Sequence, residues 1–187
     1  MSINIKKLVL IMSFMLVSTF TYAEGNSSVI VKSGSFTLAD KNQTIVGAVT
    51  FDETSSSVFA IEYEAKMREN LSWGAEYIAY NNTYASGAGK ASFTHIMFNI
   101  RKLFDVTKHV EPFVGIGAGA STVALSGIGT GTGGGFGFQL MAGVKFPFKD
   151  FSAVVEYKMI TATPDDKAGT SVSSSGNGLF AGIGISF

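Results

Sequence analysis

Apolar residues alternate with polar or small residues along many stretches of this chain. This period of two recurs often enough to constrain the fold. Such a period is typical of β-strands. The predicted strands are residues 28–38, 57–67, 71–80, 91–101, 111–120, 135–146, 151–160 and 178–187. The first alternates least and is predicted from its β-propensity and its position. The last reads GLFAGIGISF, and about ten residues is the length that a tilted strand needs to cross a bilayer.

The connections between these strands are alternately long and short. The long ones are residues 39–56, 81–90, 121–134 and 161–177, which are rich in Ser, Thr, Gly and Asn. Outer-membrane barrels place long loops outside the cell, and short turns and both termini in the periplasm. We therefore predict an all-β, eight-stranded, antiparallel, up-and-down transmembrane β-barrel. The alternative is a soluble β-sandwich, which has no reason to place every long loop at one end.

Aromatic residues near the predicted strand ends indicate two girdles at the membrane interfaces. Those assigned to the periplasmic girdle are Tyr63, Trp73, Phe146, Phe151 and Phe187, and those assigned to the outer girdle are Phe93 and Phe136.

The amino-terminal segment has the features of a secretory signal peptide. Lys6 and Lys7 precede an apolar run at residues 8–17, and small and polar residues lead to Ala23. The run is too short for a spanning helix. We expect cleavage after Ala23, with residues 1–23 as signal peptide and residues 24–187 as the barrel domain in the outer membrane of a Gram-negative bacterium. A retained membrane anchor is the alternative.

Composition excludes several classes of function. The chain has no cysteine, which excludes disulfides, thiol catalysis and acylation as a lipoprotein. Without Lys6 and Lys7, 12 of the 14 basic residues remain against 14 acidic ones, so nothing recruits nucleic acid. Beyond residue 23 no apolar run approaches twenty residues. A membrane location therefore requires a closed barrel, which satisfies every backbone group in lipid.

Three stretches carry a resemblance to a known family. Residues 111–121 read EPFVGIGAGAS, residues 138–146 read FQLMAGVKF, and the last strand ends at Phe187. Together they resemble the opacity-protein and OmpA/OmpX-like small outer-membrane barrels. The resemblance implies that the barrel-insertion machinery reads the strand ending in Phe187. It also implies contact with outer-membrane lipid and lipopolysaccharide, and adhesion to a host surface ligand through the loops. The alternative for the loops is that they only shield the barrel.

Charged residues occupy positions that the alternation directs into the barrel. They are the acids Glu62, Glu64, Glu76, Glu111 and Glu156 and the bases Lys66, Arg101, Lys145 and Lys158. An isolated buried charge costs several kcal/mol, and side chains fill an eight-stranded barrel. We interpret these residues as a core of ion pairs around small water pockets. The alternative is a gate or ion path through a small pore.

No catalytic, cofactor-binding or metal-binding residue is predicted. The glycine runs lack the Lys-Ser/Thr of a phosphate-binding loop. Ser92 and His95 fall on opposite faces of one strand, and His109 and Glu111 have no serine beside them at the periplasmic end. A serine nucleophile needs a histidine within hydrogen-bond reach. We therefore expect a non-enzymatic surface protein, with a lipid A-modifying enzyme as an alternative, and His95 as an interior hydrogen-bonding residue.

Overall fold

A computed structural model describes residues 27–39, 42–44, 48–50, 55–86, 89–104, 106–107, 109–127, 131–166 and 172–187. Eight long strands follow one another along the chain. They are β1 (Ser27–Leu38), β2 (Ser55–Arg68), β3 (Leu71–Thr83), β4 (Lys90–Leu103), β5 (Glu111–Ser126), β6 (Gly131–Pro147), β7 (Phe151–Ala162) and β8 (Gly176–Ser186). The predicted signal peptide, residues 1–23, lies outside the described residues.

The eight strands form one closed sheet. Each strand pairs antiparallel with its neighbours in sequence, and β8 pairs with β1 along a seam from Ser28–Ser186 to Leu38–Gly176. The predicted eight-stranded antiparallel β-barrel is therefore confirmed. The end of the barrel where the Phe187 amide donates to the Ser27 carbonyl oxygen at 2.9 Å is called the turn end below, and the opposite end the loop end. Within the described ranges, no helix has the length and apolar character needed to span a bilayer.

Two connections at the loop end differ from the prediction. β5 continues to Ser126 and β6 begins at Gly131, so most of the predicted loop at residues 121–134 is paired strand. Gly127, just after β5, has a φ of 99°, a conformation that favours glycine. The short segment Asp165–Asp166, within the predicted fourth loop, pairs with β6.

A band of large apolar side chains surrounds the outer wall. Every strand contributes at least one exposed member, and one from each strand in order gives Val31, Ile61, Tyr77, Phe98, Ile116, Phe138, Met159 and Ile183. Alternate residues of the same strands point inward and are mostly buried. A continuous exposed apolar band is far larger than the patches of soluble monomers, and it matches the lipid-facing band of membrane barrels.

The alternation reverses its sense towards the loop end. On β5, Thr122 and Ser126 face outward, whereas Val123 and Leu125 are buried inside. On β1, Ser35 faces outward, whereas Phe36 is fully buried. This part of the wall therefore has a polar exterior and an apolar interior, as a water-soluble barrel has. The reversal within β1 also explains why residues 28–38 gave the weakest alternation.

An apolar layer fills the barrel at the loop end. Phe93, assigned above to the outer aromatic girdle, belongs to this layer: it is buried and stacks on Tyr80 with ring centroids 5.0 Å apart. That assignment was wrong because Phe93 shares the inward parity of His95 on β4. Phe136, by contrast, faces outward and is 83% exposed.

A segment just before β8 completes this layer. Residues 172–175, called the stopper segment below, fold over the interior with Val172 fully buried. The Tyr80 hydroxyl donates to the Ser174 carbonyl oxygen at 3.0 Å, and the Ser174 amide donates to the Ala162 carbonyl oxygen at 2.9 Å. The stopper segment therefore helps to close the barrel towards the loop end.

Candidate functional site

A polar cluster lies inside the barrel, on the turn-end side of the apolar layer. Its members are Lys32, Glu62, Glu76, Asn99, Arg101, Gln139, Glu156 and Lys158. They come from six of the eight strands and are all 3% exposed or less. The inward positions of the alternation bring these side chains together, and this set is called the central cluster below.

Lys32 is the centre of this cluster, although the sequence did not identify it. Its ammonium group donates to Glu62 at 2.5 Å, to Glu156 at 2.6 Å and to Glu76 at 2.9 Å. A lysine has three donors and no acceptor, so every donor of Lys32 is used. Because β1 alternates poorly, its two faces could not be assigned. The available signal was that Lys32 alternates with the apolar residue Val31, which faces outward.

The carboxylates of the central cluster are also satisfied. Glu62 accepts from Arg101 at 2.7 Å and from Asn99 at 3.0 Å, in addition to Lys32. Glu76 accepts from Lys158, from Asn99 at 3.1 Å and from Gln139 at 3.2 Å. Buried ionised groups are tolerated when they are paired and hydrogen-bonded in this way.

The interior charges balance once Lys32 is included. The predicted inward set had five acids and four bases, and Lys32 supplies the fifth base. Within the central cluster, three carboxylates, Glu62, Glu76 and Glu156, face three cations, Lys32, Arg101 and Lys158. The cluster is therefore formally neutral, so it offers no surplus charge to attract an ion.

Glycines on neighbouring strands provide the space for these long side chains. Gly115 lies opposite Arg101, and Gly117 lies opposite both Asn99 and Gln139. A Cβ atom at Gly115 would lie 2.9 Å from Arg101 Cγ, and one at Gly117 would lie 2.9 Å from Gln139 Cγ. The glycine run of β5 therefore has a packing role, because a side chain on it would displace the central cluster.

The remaining inward charges lie towards the turn end. Glu64 pairs with Lys145 at 2.7 Å and lies 3.5 Å from Arg101. Lys66 pairs with Glu111 at 3.4 Å, and the Lys66 side chain is 37% exposed. Both pairs line a small polar recess that opens at the turn end. Lys66 and Glu111 thus sit at the rim of the barrel, apart from the central cluster.

The recess stops at the central cluster. The side chains of Lys32, Glu62, Glu76, Glu156 and Lys158 are all 0% exposed. Arg101 and Phe113 form the floor of the recess. The guanidinium carbon of Arg101 lies 5.0 Å from the centre of the Phe113 ring. Water that enters at the turn end can therefore reach Glu64 and Lys145. It has no open path from there through the barrel.

The histidines do not form a nucleophile–base arrangement with any contact that the structure records. His95 is fully buried, and its Nε2 atom lies 3.4 Å from the Tyr80 hydroxyl. Ser92 points to the other face of β4, as the alternation predicts. His109 is exposed at the turn end. Among the described residues, no group of three or more His, Cys, Asp or Glu side chains could hold a metal ion.

Comparisons with known proteins identify the fold. No family model and no curated protein sequence matches this chain. Among solved structures, Neisserial surface protein A (NspA) is 15% identical with a TM-score of 0.64, and the match covers 88% of this chain and 98% of that one. OprG from Pseudomonas aeruginosa is 10% identical with a TM-score of 0.60, covering 88% of this chain and 97% of that one.

A third solved structure with this fold is Ail, the attachment invasion locus protein of Yersinia pestis. It is 15% identical with a TM-score of 0.55, and the match covers 88% of this chain and all of that one (100%). Ail was also solved in complex with the heparin analogue sucrose octasulfate. The structural neighbours are thus small outer-membrane β-barrels, consistent with the resemblance found in the sequence.

Proposed function

We propose that this protein is a non-enzymatic β-barrel of the bacterial outer membrane, with the turn end in the periplasm and the loop end outside the cell. The exposed apolar band on all eight strands supports the membrane location. Heat-modifiable gel migration of the outer-membrane fraction tests it, because folded barrels of this class resist unfolding by detergent until they are boiled. A band that migrates equally before and after boiling would contradict the proposal.

Within that class, the protein acts as a structural surface protein or adhesin through its loop end. One observation carries this function: the charged groups of the central cluster are paired with one another, which leaves the loop end as the surface available for partners. The contact regions are residues 39–56, 81–90, 121–134 and 161–177. Loops on a rigid scaffold are where binding is most often found. A host surface ligand and lipopolysaccharide are the proposed partners.

Loop replacement tests adhesion directly. Joining Leu38 to Thr54 with Asn-Gly removes most of the first loop, and this dipeptide favours the tight turn of a hairpin. We expect binding of whole bacteria to host cells to fall while heat-modifiable migration is retained. A variant with the same loop residues in scrambled order is the matched control for length and composition. Equal cell binding by all three proteins would contradict a role for this loop.

A small pore is the second candidate function. The polar recess at the turn end favours it, because that recess brings water to Glu64 and Lys145. Conduction would require the central cluster and the stopper segment to rearrange. Single-channel recording, described in the Discussion, separates the pore from the sealed barrel. A lipid A-modifying activity is tested by mass spectrometry of lipid A from cells with and without the protein.

The proposed partner of the last strand is the barrel-insertion machinery, with Phe187 as part of the signal. Phe187 directly follows the strand that closes the barrel against β1, and its amide donates to the Ser27 carbonyl oxygen. Removing Phe187 should lower the amount of protein in the outer membrane, whereas refolding of the purified chain into detergent should be less affected. Equal losses in both assays would indicate a role in barrel stability alone.

A further inference from the structure

The recess at the turn end has the size of a site for one small group. Its volume is about 150 Å³, whereas pockets that bind drug-sized ligands are typically about 300–1,000 Å³. Water at the density of the liquid would fill it with about five molecules. The serines that line it are Ser27, Ser28, Ser152 and Ser186, and the other polar side chains of the lining are charged. A ligand for this recess is therefore small and polar.

The charged residues of the recess include one more cation than anions. Glu64 and Glu111 are the acids, and Lys66, Lys145 and Lys149 are the bases. Each carboxylate already has a lysine partner, since Glu64 pairs with Lys145 at 2.7 Å and Glu111 pairs with Lys66 at 3.4 Å. Lys149 is exposed and forms no ion pair with any residue that the structure describes. The recess therefore favours an anion over a cation.

A buried hydroxyl group in the wall of the recess lacks a partner. Ser152 is 1% exposed, and its Oγ atom has no hydrogen-bond partner among the described residues. Such a hydroxyl is unfavourable, because it has lost its hydrogen bonds to water. Gly184 lies opposite Ser152 on β8, and a Cβ atom at Gly184 would lie 3.0 Å from this oxygen. Glycine therefore leaves space beside the hydroxyl, and an acceptor in the recess would satisfy it.

Several further donors of the recess are also unused. A lysine ammonium group has three donors and no acceptor. Among the described residues, Lys145 and Lys66 each donate to one carboxylate, so each keeps two further donors. Ser28 and Ser152 lie on β1 and β7, the two strands that flank β8, and each hydroxyl adds one donor. A phosphate group carries negative charge and accepts several hydrogen bonds, so it would satisfy these donors together.

We propose that the recess binds one phosphate group, with Lys145 and Lys149 offsetting its charge and Ser152 donating a hydrogen bond to one of its oxygen atoms. This site goes beyond the surface role proposed above, because it lies at the end of the barrel opposite the loops. In the proposed orientation two sources supply such a group at this end. They are inorganic phosphate in the periplasm and the headgroup of an inner-leaflet phospholipid.

Calorimetric titration tests the site and distinguishes the two sources. The protein purified from outer membranes is kept in a non-ionic detergent, which carries no phosphate. It is titrated at constant ionic strength with sodium phosphate and, separately, with a short-chain phosphatidylglycerol. We expect saturable binding of one phosphate group per protein. The probe that binds identifies the source, and both sources are available to the site if the two probes compete.

Three variants locate the bound group. Ser152→Ala removes the hydroxyl that lacks a partner, and Lys149→Met removes the cation that has no ion pair. Each should weaken binding several-fold. Lys102→Met is the matched control, because Lys102 is exposed near the turn end of β4 but does not line the recess. Heat-modifiable migration verifies that each variant is folded, and the exposed position of Lys149 makes its replacement compatible with folding.

Three results would overturn the phosphate site. The first is a folded wild-type protein that binds neither probe. The second is equal binding by the wild-type protein, Ser152→Ala and Lys149→Met, because the phosphate group would then be held elsewhere. The third is equal weakening by Lys149→Met and Lys102→Met with no effect of Ser152→Ala, because attraction to positive charge in general would then explain the binding. The proposed membrane location is tested separately by heat-modifiable migration, so the two proposals fail independently.

Discussion

The ammonium group of Lys32 lies 2.6 Å from the carboxylate of Glu156, although 124 residues separate them along the chain. Both side chains are completely buried, and both have further charged partners in the central cluster. The closing of β8 against β1 brings them together, because β8 is the only strand between β1 and β7. The network of ion pairs in the barrel is therefore completed only when the barrel closes.

Replacement of Lys32 by Met should strongly destabilise the barrel. The change leaves carboxylates in the cluster without their cation, and removing one partner of a buried ion pair costs about 3–5 kcal/mol. Guanidinium unfolding in detergent micelles measures this loss, and the fluorescence of Trp73, the one tryptophan in the chain, reports unfolding. Lys149→Met, at an exposed turn position, is the control and should change the free energy of unfolding by no more than about 0.5 kcal/mol. Equal stability of the two variants would contradict the central role of Lys32.

Gly117→Val should destabilise the barrel by overpacking its interior. An added Cβ atom would lie 2.9 Å from Gln139 Cγ, and overpacking typically costs about 1–3 kcal/mol. Ala120→Val, on the exposed face of the same strand, is the matched control and should be tolerated. The same unfolding assay compares the two variants. If Ala120→Val cost as much as Gly117→Val, the packing role assigned to the interior glycines would be wrong.

Val172→Asp should release the stopper segment. The change places a carboxylate in a fully buried apolar position, where an unpaired charge is costly. We expect faster hydrogen–deuterium exchange of the Ser174 amide, which donates to the Ala162 carbonyl oxygen at 2.9 Å. Thr163→Asp, at an exposed position nearby, should leave this exchange rate unchanged. Unaltered protection in Val172→Asp would show that Val172 does not hold the segment in place.

Much of the fold was predictable from the sequence because the lipid-facing band imposes a regular alternation on the strands. Residues such as Ile96, Phe98 and Ile100 mark the outward face of β4, and their neighbours Met97, Asn99 and Arg101 mark the inward face. This parity alone predicts that Glu62, Glu76 and Glu156 lie in the interior, and all three are buried there. The partners of each charge were not predictable, because they depend on the register between strands.

The alternation no longer predicts strands where the outer wall extends beyond the apolar band. Towards the loop end, Thr122 and Ser126 face outward and Val123 and Leu125 face inward, so the usual rule for membrane strands is reversed. The sequence therefore predicts a loop for the part of β5 beyond residue 120. The same loss of signal in β1 left Lys32 unassigned. A search for reversed alternation next to each apolar stretch would have recovered both features.

Cleavage after Ala23 stays a prediction that protein chemistry can test. Amino-terminal sequencing of the protein from outer membranes should give Glu24, Gly25 and Asn26 as the first residues. The reason is that small residues before the cut, after a short apolar run, match the signal-peptide pattern. A mature protein that retains Lys6 and Lys7 would instead indicate a membrane anchor.

Recording of ionic current across planar bilayers tests the central claim, which is that a neutral cluster of paired charges and an apolar layer seal the barrel. Insertion is first verified by heat-modifiable migration of protein recovered from the same preparation. We predict no stable stepwise current from the wild-type protein. Stable current steps that change in size or ion selectivity with Glu62→Gln or Arg101→Ala would contradict the sealed barrel and establish a pore through the central cluster.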